Sequence, residues 1–212
     1  MKEILLKRRQ NEREERIRRI LGAAREVFFQ KGYTGTNIRN IARKAVLSPG
    51  TIYYYFSGID EIYVEIAEES FKIIQNFLKE GLAQYESSLG KLDHMGREFL
   101  KYYLKYPEYT ELFVFSNIGW RRVGLKQDLI QRLDKVLNET LSILHEVISE
   151  GMESGEINND RDSWELCHAL WASIEGTLCL DRRGLLENAR FSIDELIETQ
   201  LGIIFNGIRS RQ

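Results

Sequence analysis

The residues best equipped for chemistry form one run, Thr36 to Phe56, in which hydroxyl, amide and cationic side chains alternate with an apolar stripe. Ile38, Ile41, Ala42 and Ala45 repeat at helical spacing and predict a short helix that turns Asn37, Arg39, Asn40, Arg43 and Lys44 outward. Ser48 offers a side-chain cap, and Pro49 stands where a first helical residue has no use for its N–H. A second helix, Pro49 to about Tyr55, then buries Ile52 and Phe56 and shows Thr51, Tyr53, Tyr54 and Tyr55 to the outside. Three consecutive tyrosines cannot all be core. Two short helices around a tight turn, the second loaded with hydroxyls, are what a DNA major groove accepts. The DNA-contacting set on this reading is Thr36, Asn37, Arg39, Ser48, Pro49, Gly50, Thr51, Tyr53, Tyr54 and Tyr55. Hydroxyls and cations would meet phosphates or base edges, while Pro49 has only apolar contact to give, as to a thymine methyl.

The order and spacing of Gly32-Tyr33-Thr34-Gly35-Thr36, then Ile41-Ala42, then Ser48-Pro49-Gly50-Thr51-Ile52-Tyr53-Tyr54-Tyr55-Phe56 resemble the tetracycline-repressor (TetR) family of bacterial regulators. The resemblance begins at Ile17, and a weaker echo follows in Glu150 to Ile157 and in Trp164 to Gly176. It implies a dimeric repressor released from a palindromic operator by a small effector. Two positions depart from the family's pattern. Val46 stands at the turn where members usually carry glycine, so a positive φ there would be strained. Ile59 stands where members tend to place a phosphate-binding lysine, so that contact should be missing.

A second constellation lies near the C-terminus. Trp164, His168, Trp171, Glu175 and Leu178 are spaced 4, 3, 4 and 3 on one helix face. Titratable groups among indoles line ligand pockets, but also occur as core pairs or subunit contacts. The aromatics Phe99, Tyr103, Phe113 and Trp120 carry the same ambiguity. A pocket would draw on Phe99, Tyr103, Phe113, Trp120, Trp171 and Glu175, and an ionised Glu175 would favour a hydrophobic or cationic effector over an anionic one.

Enzyme chemistry finds little support. A carboxylate-bridged metal pair in a helical bundle needs repeated Glu-x-x-His units, and only Glu165-x-x-His168 occurs. No phosphate-binding or dinucleotide fingerprint is present. No catalytic residue, metal or cofactor is therefore expected. The rival readings are an architectural DNA-binding protein without an effector, and a helical enzyme.

Composition gives the frame. The 212 residues contain two prolines, and many Leu, Ile, Glu, Lys and Arg, which favours an all-α fold. The net charge of −2 hides an asymmetry. Residues 1–57 hold 13 Lys and Arg against 5 Asp and Glu, a net of +8, and the remainder carries −10. A basic third on an acidic body points to a polyanion partner for that third. Cys167 and Cys179 fall in one predicted helix, about 18 Å apart at about 1.5 Å per residue, so they cannot bridge. Reduced cysteines, a charged N-terminus and no long apolar run predict a cytoplasmic protein without a membrane partner.

About nine helices are expected. Glu12 to Lys31 is one, preceded by a basic stretch that is either an arm along DNA or a helix extension. With the helix-turn-helix it makes a three-helix headpiece, residues 1–57. A body for ligand binding and dimerisation, residues 58–212, follows with helices near 60–85, 92–106, 107–117, 126–154, 162–181 and 192–209. The last is apolar on more than one side, which calls for a second partner beyond its own domain. A homodimer seam through Leu201 and Phe205 is the expectation.

Overall fold

A computed structural model describes residues 2–114 and 124–210, with side chains over 6–112 and 124–210. Nine α-helices make up the described chain, and it contains no strand. They are α1 (Lys2–Lys31), α2 (Ile38–Ala45), α3 (Pro49–Tyr55), α4 (Ile59–Lys79), α5 (Ser88–Lys105), the single turn α6 (Pro107–Tyr109), α7 (Gln127–Glu153), α8 (Ser163–Arg182) and α9 (Ile193–Ile208). The fold class is all-α, as the periodicity predicts.

Side chains set most boundaries. Asn37 caps α2 by accepting from the Asn40 N–H, Ser87 caps α5 through Gly90, and Asp162 caps α8 through Trp164 and Glu165. Ser192 and Glu195 close a reciprocal capping box on α9. Gly32 and Gly81, at φ 66 and 77, end α1 and the turn after α4 in the left-handed region. Three boundaries differ from expectation. The first helix begins at Lys2, ten residues before Glu12. The helix expected over 60–85 stops at Lys79, and Leu82–Gln84 form a separate 3-10 turn. The one expected over 107–117 is a single turn followed by a π-helical turn at Thr110–Val114.

The chain divides into two compact units. The first comprises residues 1–70 and 111–133, the second residues 71–110 and 134–212. The division falls within α4 and α7, so each helix contributes to both.

In the first unit Ile20, Ala24, Phe28, Ile41, Ile52, Ile62, Ile66 and Leu133 are almost fully buried. Phe28 meets the Tyr63 ring edge-on at 5.7 Å, and Tyr33 meets it at 4.8 Å. The Tyr33 hydroxyl donates to Asp60 at 2.7 Å, which ties the α1–α2 turn to the start of α4. Arg132 binds Glu65 and Glu68 at 2.7 and 2.8 Å.

The second unit packs α5, α7, α8 and α9 around Ile74, Leu78, Met95, Phe99, Tyr102, Ile148, Cys167, Leu178, Ile197 and Leu201. Helices α8 and α9 share a polar seam in which the Gln200 amide donates to the Ser173 carbonyl at 2.9 Å. The Glu156 carboxylate accepts the N–H groups of Ser88 and Leu89 at 2.7 and 3.3 Å, so the α7–α8 loop caps α5. No helix of the described residues is long and apolar enough to cross a membrane.

Candidate functional site

The reading head is built by α2, the turn 46–48 and α3. Ile38, Ile41, Ala42, Ala45 and Ile52 bury one side of the pair against the unit's core, with Phe56 below them. That leaves Arg39, Arg43, Lys44, Pro49, Gly50, Tyr53 and Tyr54 exposed, with Thr51 and Tyr55 half-buried. Tyr53 and Tyr54 are 57% and 81% exposed, so both rings stand free of the chain's own core, and tyrosine is enriched at interfaces. The Tyr54 ring leans edge-on against Tyr55 at 5.0 Å, whereas Tyr53 makes no ring contact among the described residues. The Ser48 hydroxyl accepts from the Thr51 N–H at 3.1 Å and lies 2.9 Å from the Thr51 hydroxyl, so the two orient each other at the N-terminus of α3.

Thr36 does not belong to this surface. It is 8% exposed, and its hydroxyl donates to the Gly32 carbonyl at 2.7 Å. The capping role falls to Asn37, one residue on, and Thr36 locks the turn before it. Ile59 is half-buried as the first residue of α4.

Val46 takes φ 53 and ψ 51, so it is a β-branched residue in the left-handed region, 77% exposed. Its N–H completes the α2 cap, and Arg19 reaches its carbonyl at 3.4 Å. At 77% exposure the side chain buries little that would offset its strain. Val46→Gly is expected to stabilise the protein by about 1 kcal/mol, the left-handed penalty outweighing glycine's chain entropy. Paired thermal melts check the sign, and a lower melting temperature for the glycine variant would refute it.

A second site lies within the second unit. Leu78, Leu92, Met95, Gly96, Phe99, Leu144, Leu170, Trp171, Ile174 and Leu201 line an apolar cavity of about 30 Å³. The Trp171 indole packs against the Phe99 ring at 4.9 Å. Of the expected pocket residues, the structure brings Phe99 and Trp171 together here. Tyr103 is buried elsewhere, donating to Asp181 at 2.7 Å. Glu175 is outside the lining too; burial pushes its carboxyl pKa up, and a hydrogen bond with Trp171 opposes that shift. The side chain of Phe113 and all of Trp120 lie outside the described residues.

Sequence reasoning missed Met95, Gly96, Leu170 and Ile174, which are indistinguishable from ordinary core by residue type. Leu201, expected at a dimer seam, is 2% exposed and faces the cavity, with its Cδ1 against Gly96. Phe205 is half-buried. Exposed on α8 and α9 instead are Ala169, Ala172, Gly176, Gly202, Ile203, Asn206 and Gly207. Among the described residues no cluster of His, Cys, Asp or Glu is placed to hold a metal.

A capped, tyrosine-bearing second helix across a tight turn, on a basic headpiece, defines a helix-turn-helix DNA-binding protein. Residues 20–66 match the family model for bacterial regulatory proteins of the tetR family. It is 23% identical over 192 residues to the fatty acid metabolism regulator protein of Bacillus subtilis, covering 91% of this chain and 95% of that one. It is 28% identical over 144 residues to the transcriptional repressor NicS of Pseudomonas putida, covering 66% and 65%. The fold matches that of the transcriptional regulator FadR from Bacillus subtilis in complex with stearoyl-CoA, with TM-score 0.73, 21% identity and coverage of 90% and 98%. It also matches AibR in complex with isovaleryl coenzyme A and operator DNA, with TM-score 0.68, 14% identity and the same coverage.

Proposed function

We propose that the chain is a dimeric transcriptional repressor that reads a near-palindromic operator with α3 and leaves it when an acyl thioester places its chain in the body. Residues 1–57 act as the DNA-reading domain and residues 58–212 as the dimerisation and ligand domain. The observation that carries the effector class is the cavity lining, which holds no titratable side chain. An apolar chain suits it, and a cation does not, because Glu175 stands outside it. The regulators of this fold that bind stearoyl-CoA and isovaleryl coenzyme A add support for a thioester.

At about 30 Å³ the cavity holds little more than a water molecule, whereas a drug-sized ligand occupies about 300–1,000 Å³. Binding must therefore open it. The unbranched Met95 side chain and the half-buried Trp171 are the lining groups most able to move. Opening makes binding specific to one conformer, and a ligand shifts an equilibrium only through such a preference. Leu78 at the cavity belongs to α4, the helix that continues from the headpiece, so α4 is the covalent route from ligand to recognition helix.

The dimer seam on this reading is the exposed face of α8 and α9. Gly176, Gly202 and Gly207 would meet nothing if given a Cβ, although each costs its helix about 1 kcal/mol relative to alanine. Close approach by a second copy accounts for them.

Stearoyl-CoA, isovaleryl-CoA and free CoA separate the possibilities. At a hundredfold excess over Kd a ligand stabilises by about 2.7 kcal/mol, or several degrees in Tm for a chain of this size. Stearoyl-CoA is expected to raise Tm and release bound DNA, and free CoA to do neither. If no acyl thioester moves either readout, the effector assignment fails.

A further inference from the structure

Residues 6–16 of α1 are exposed throughout, in contrast to the stretch from Ile20 to Phe28, most of which is buried. The helix thus continues for about five turns beyond the point where its apolar stripe ends. Its charges are sorted by face. At about 100° per residue, Arg9, Arg13 and Arg16 lie within about 40° of Ile20, and so prolong the very stripe that packs on the helix-turn-helix. The acids of this stretch sit on the flanks and far side, where Glu12 pairs with Arg8 at 3.0 Å. Among the described residues no ion pair or hydrogen bond engages the side chains of Arg9, Arg13 or Arg16. Lys7 and Arg18 point nearly opposite.

Direction follows from two contacts. Lys44, near the end of α2, pairs with Glu26, and Arg19 reaches the Val46 carbonyl in the turn. Moving along α1 from Glu26 to Arg19 therefore follows the chain from α2 toward the N-terminus of α3. That terminus is the end of a recognition helix that meets base edges. The arginine stripe lies further along α1 in that same direction, on the N-terminal side of Arg19.

We infer that this stripe is a second DNA-contacting surface, with Arg9, Arg13 and Arg16 set against the phosphates flanking the half-site that α3 reads. The inference rests on the DNA-binding reading above. From Arg9 to Arg16 the helix rises about 10 Å, and one DNA strand offers a phosphate about every 3.4 Å of axis, so three contacts fit. Guanidinium forks suit phosphate oxygens. A second copy of the same stripe would be repelled, and no apolar residue between Leu6 and Ile17 lies on it to form a helix–helix seam.

Two charge-matched double variants test the surface on a duplex selected from random sequence by the full-length parent. Arg13→Gln/Arg16→Gln removes two of the three stripe charges, and Lys7→Gln/Arg18→Gln removes equal charge from the opposite face; glutamine keeps the helix. Each lost phosphate contact lowers the slope of log Kobs against log salt by about 0.9. The stripe variant is expected to lose about 3.6 units per bound dimer, together with hydroxyl-radical protection at both outer edges of the footprint. The control should keep both. If the two variants behave alike, or the outer protection survives, the proposal is overturned while DNA binding stands. A stripe variant that loses its dimer in sedimentation also overturns it, by assigning the stripe to a subunit contact. A parent that selects no duplex removes the DNA-binding reading itself.

Discussion

Replacing Ile203 with glutamate is expected to leave a folded protein that no longer dimerises. Ile203 is 69% exposed in the single chain, so a carboxylate there meets water and costs the subunit little. Across the proposed two-fold seam the same carboxylate would be buried without a partner. Such burial costs at least about 2 kcal/mol per group, and symmetry doubles it, which weakens association about a thousandfold. A monomer engages one half-site only, so DNA affinity should collapse as well. Sedimentation velocity with far-ultraviolet circular dichroism reads both effects. A soluble dimer at micromolar concentration would move the seam off this face. Ile203 is a cleaner probe than Phe205, whose partial burial mixes folding with association.

Tyr53→Ala is expected to weaken operator binding by about 1–3 kcal/mol, or five- to more than a hundredfold, with the melting temperature unchanged. The ring is 57% exposed, and no hydrogen bond of the described residues uses its hydroxyl. Truncation therefore removes little from the fold. Its neighbour Ile52 is fully buried and holds α3 in place, so Tyr53 is presented on a fixed helix. Contacts held in this way lose affinity when truncated because nothing nearby can replace them. A gel-shift titration matching the parent would remove Tyr53 from the interface.

The headpiece was the most legible part of the chain, because its signals are local. Ser48-Pro49 start α3 through a cap and a preset φ, and the spacing of Ile38, Ile41, Ala42 and Ala45 admits one inward face. The burial of Thr36 has an equally local cause. Asn37 caps α2, and the hydroxyl of Thr36, one residue earlier, turns back to the Gly32 carbonyl.

The body was harder to read because α9 carries apolar residues on several sides. Periodicity shows that Leu201 and Ile203 lie on different faces, but not which face belongs to the chain's own core. Packing against Gly96 decides for Leu201. The same limit applies to the pocket. Charge and aromatic rings drew attention to Glu175 and Tyr103 as well as to Phe99 and Trp171, whereas the rest of the cavity lining is aliphatic groups, a methionine and a glycine that read as core anywhere. Helix α1 shows the opposite case, where Arg8 with Glu12 and Gln10 with Glu14 support helix at i, i+4 spacing in a stretch with no apolar partner.

The central claim is a repressor that grips two half-sites and lets go when its cavity is filled. A hydroxyl-radical footprint of the full-length dimer on a selected duplex, taken with and without stearoyl-CoA, tests it most directly. The account predicts two symmetric protected patches whose centres lie about 34–36 Å apart, or a multiple of that, and their loss when the acyl thioester is added. A single asymmetric patch, or symmetric patches that persist at saturating stearoyl-CoA, would contradict it.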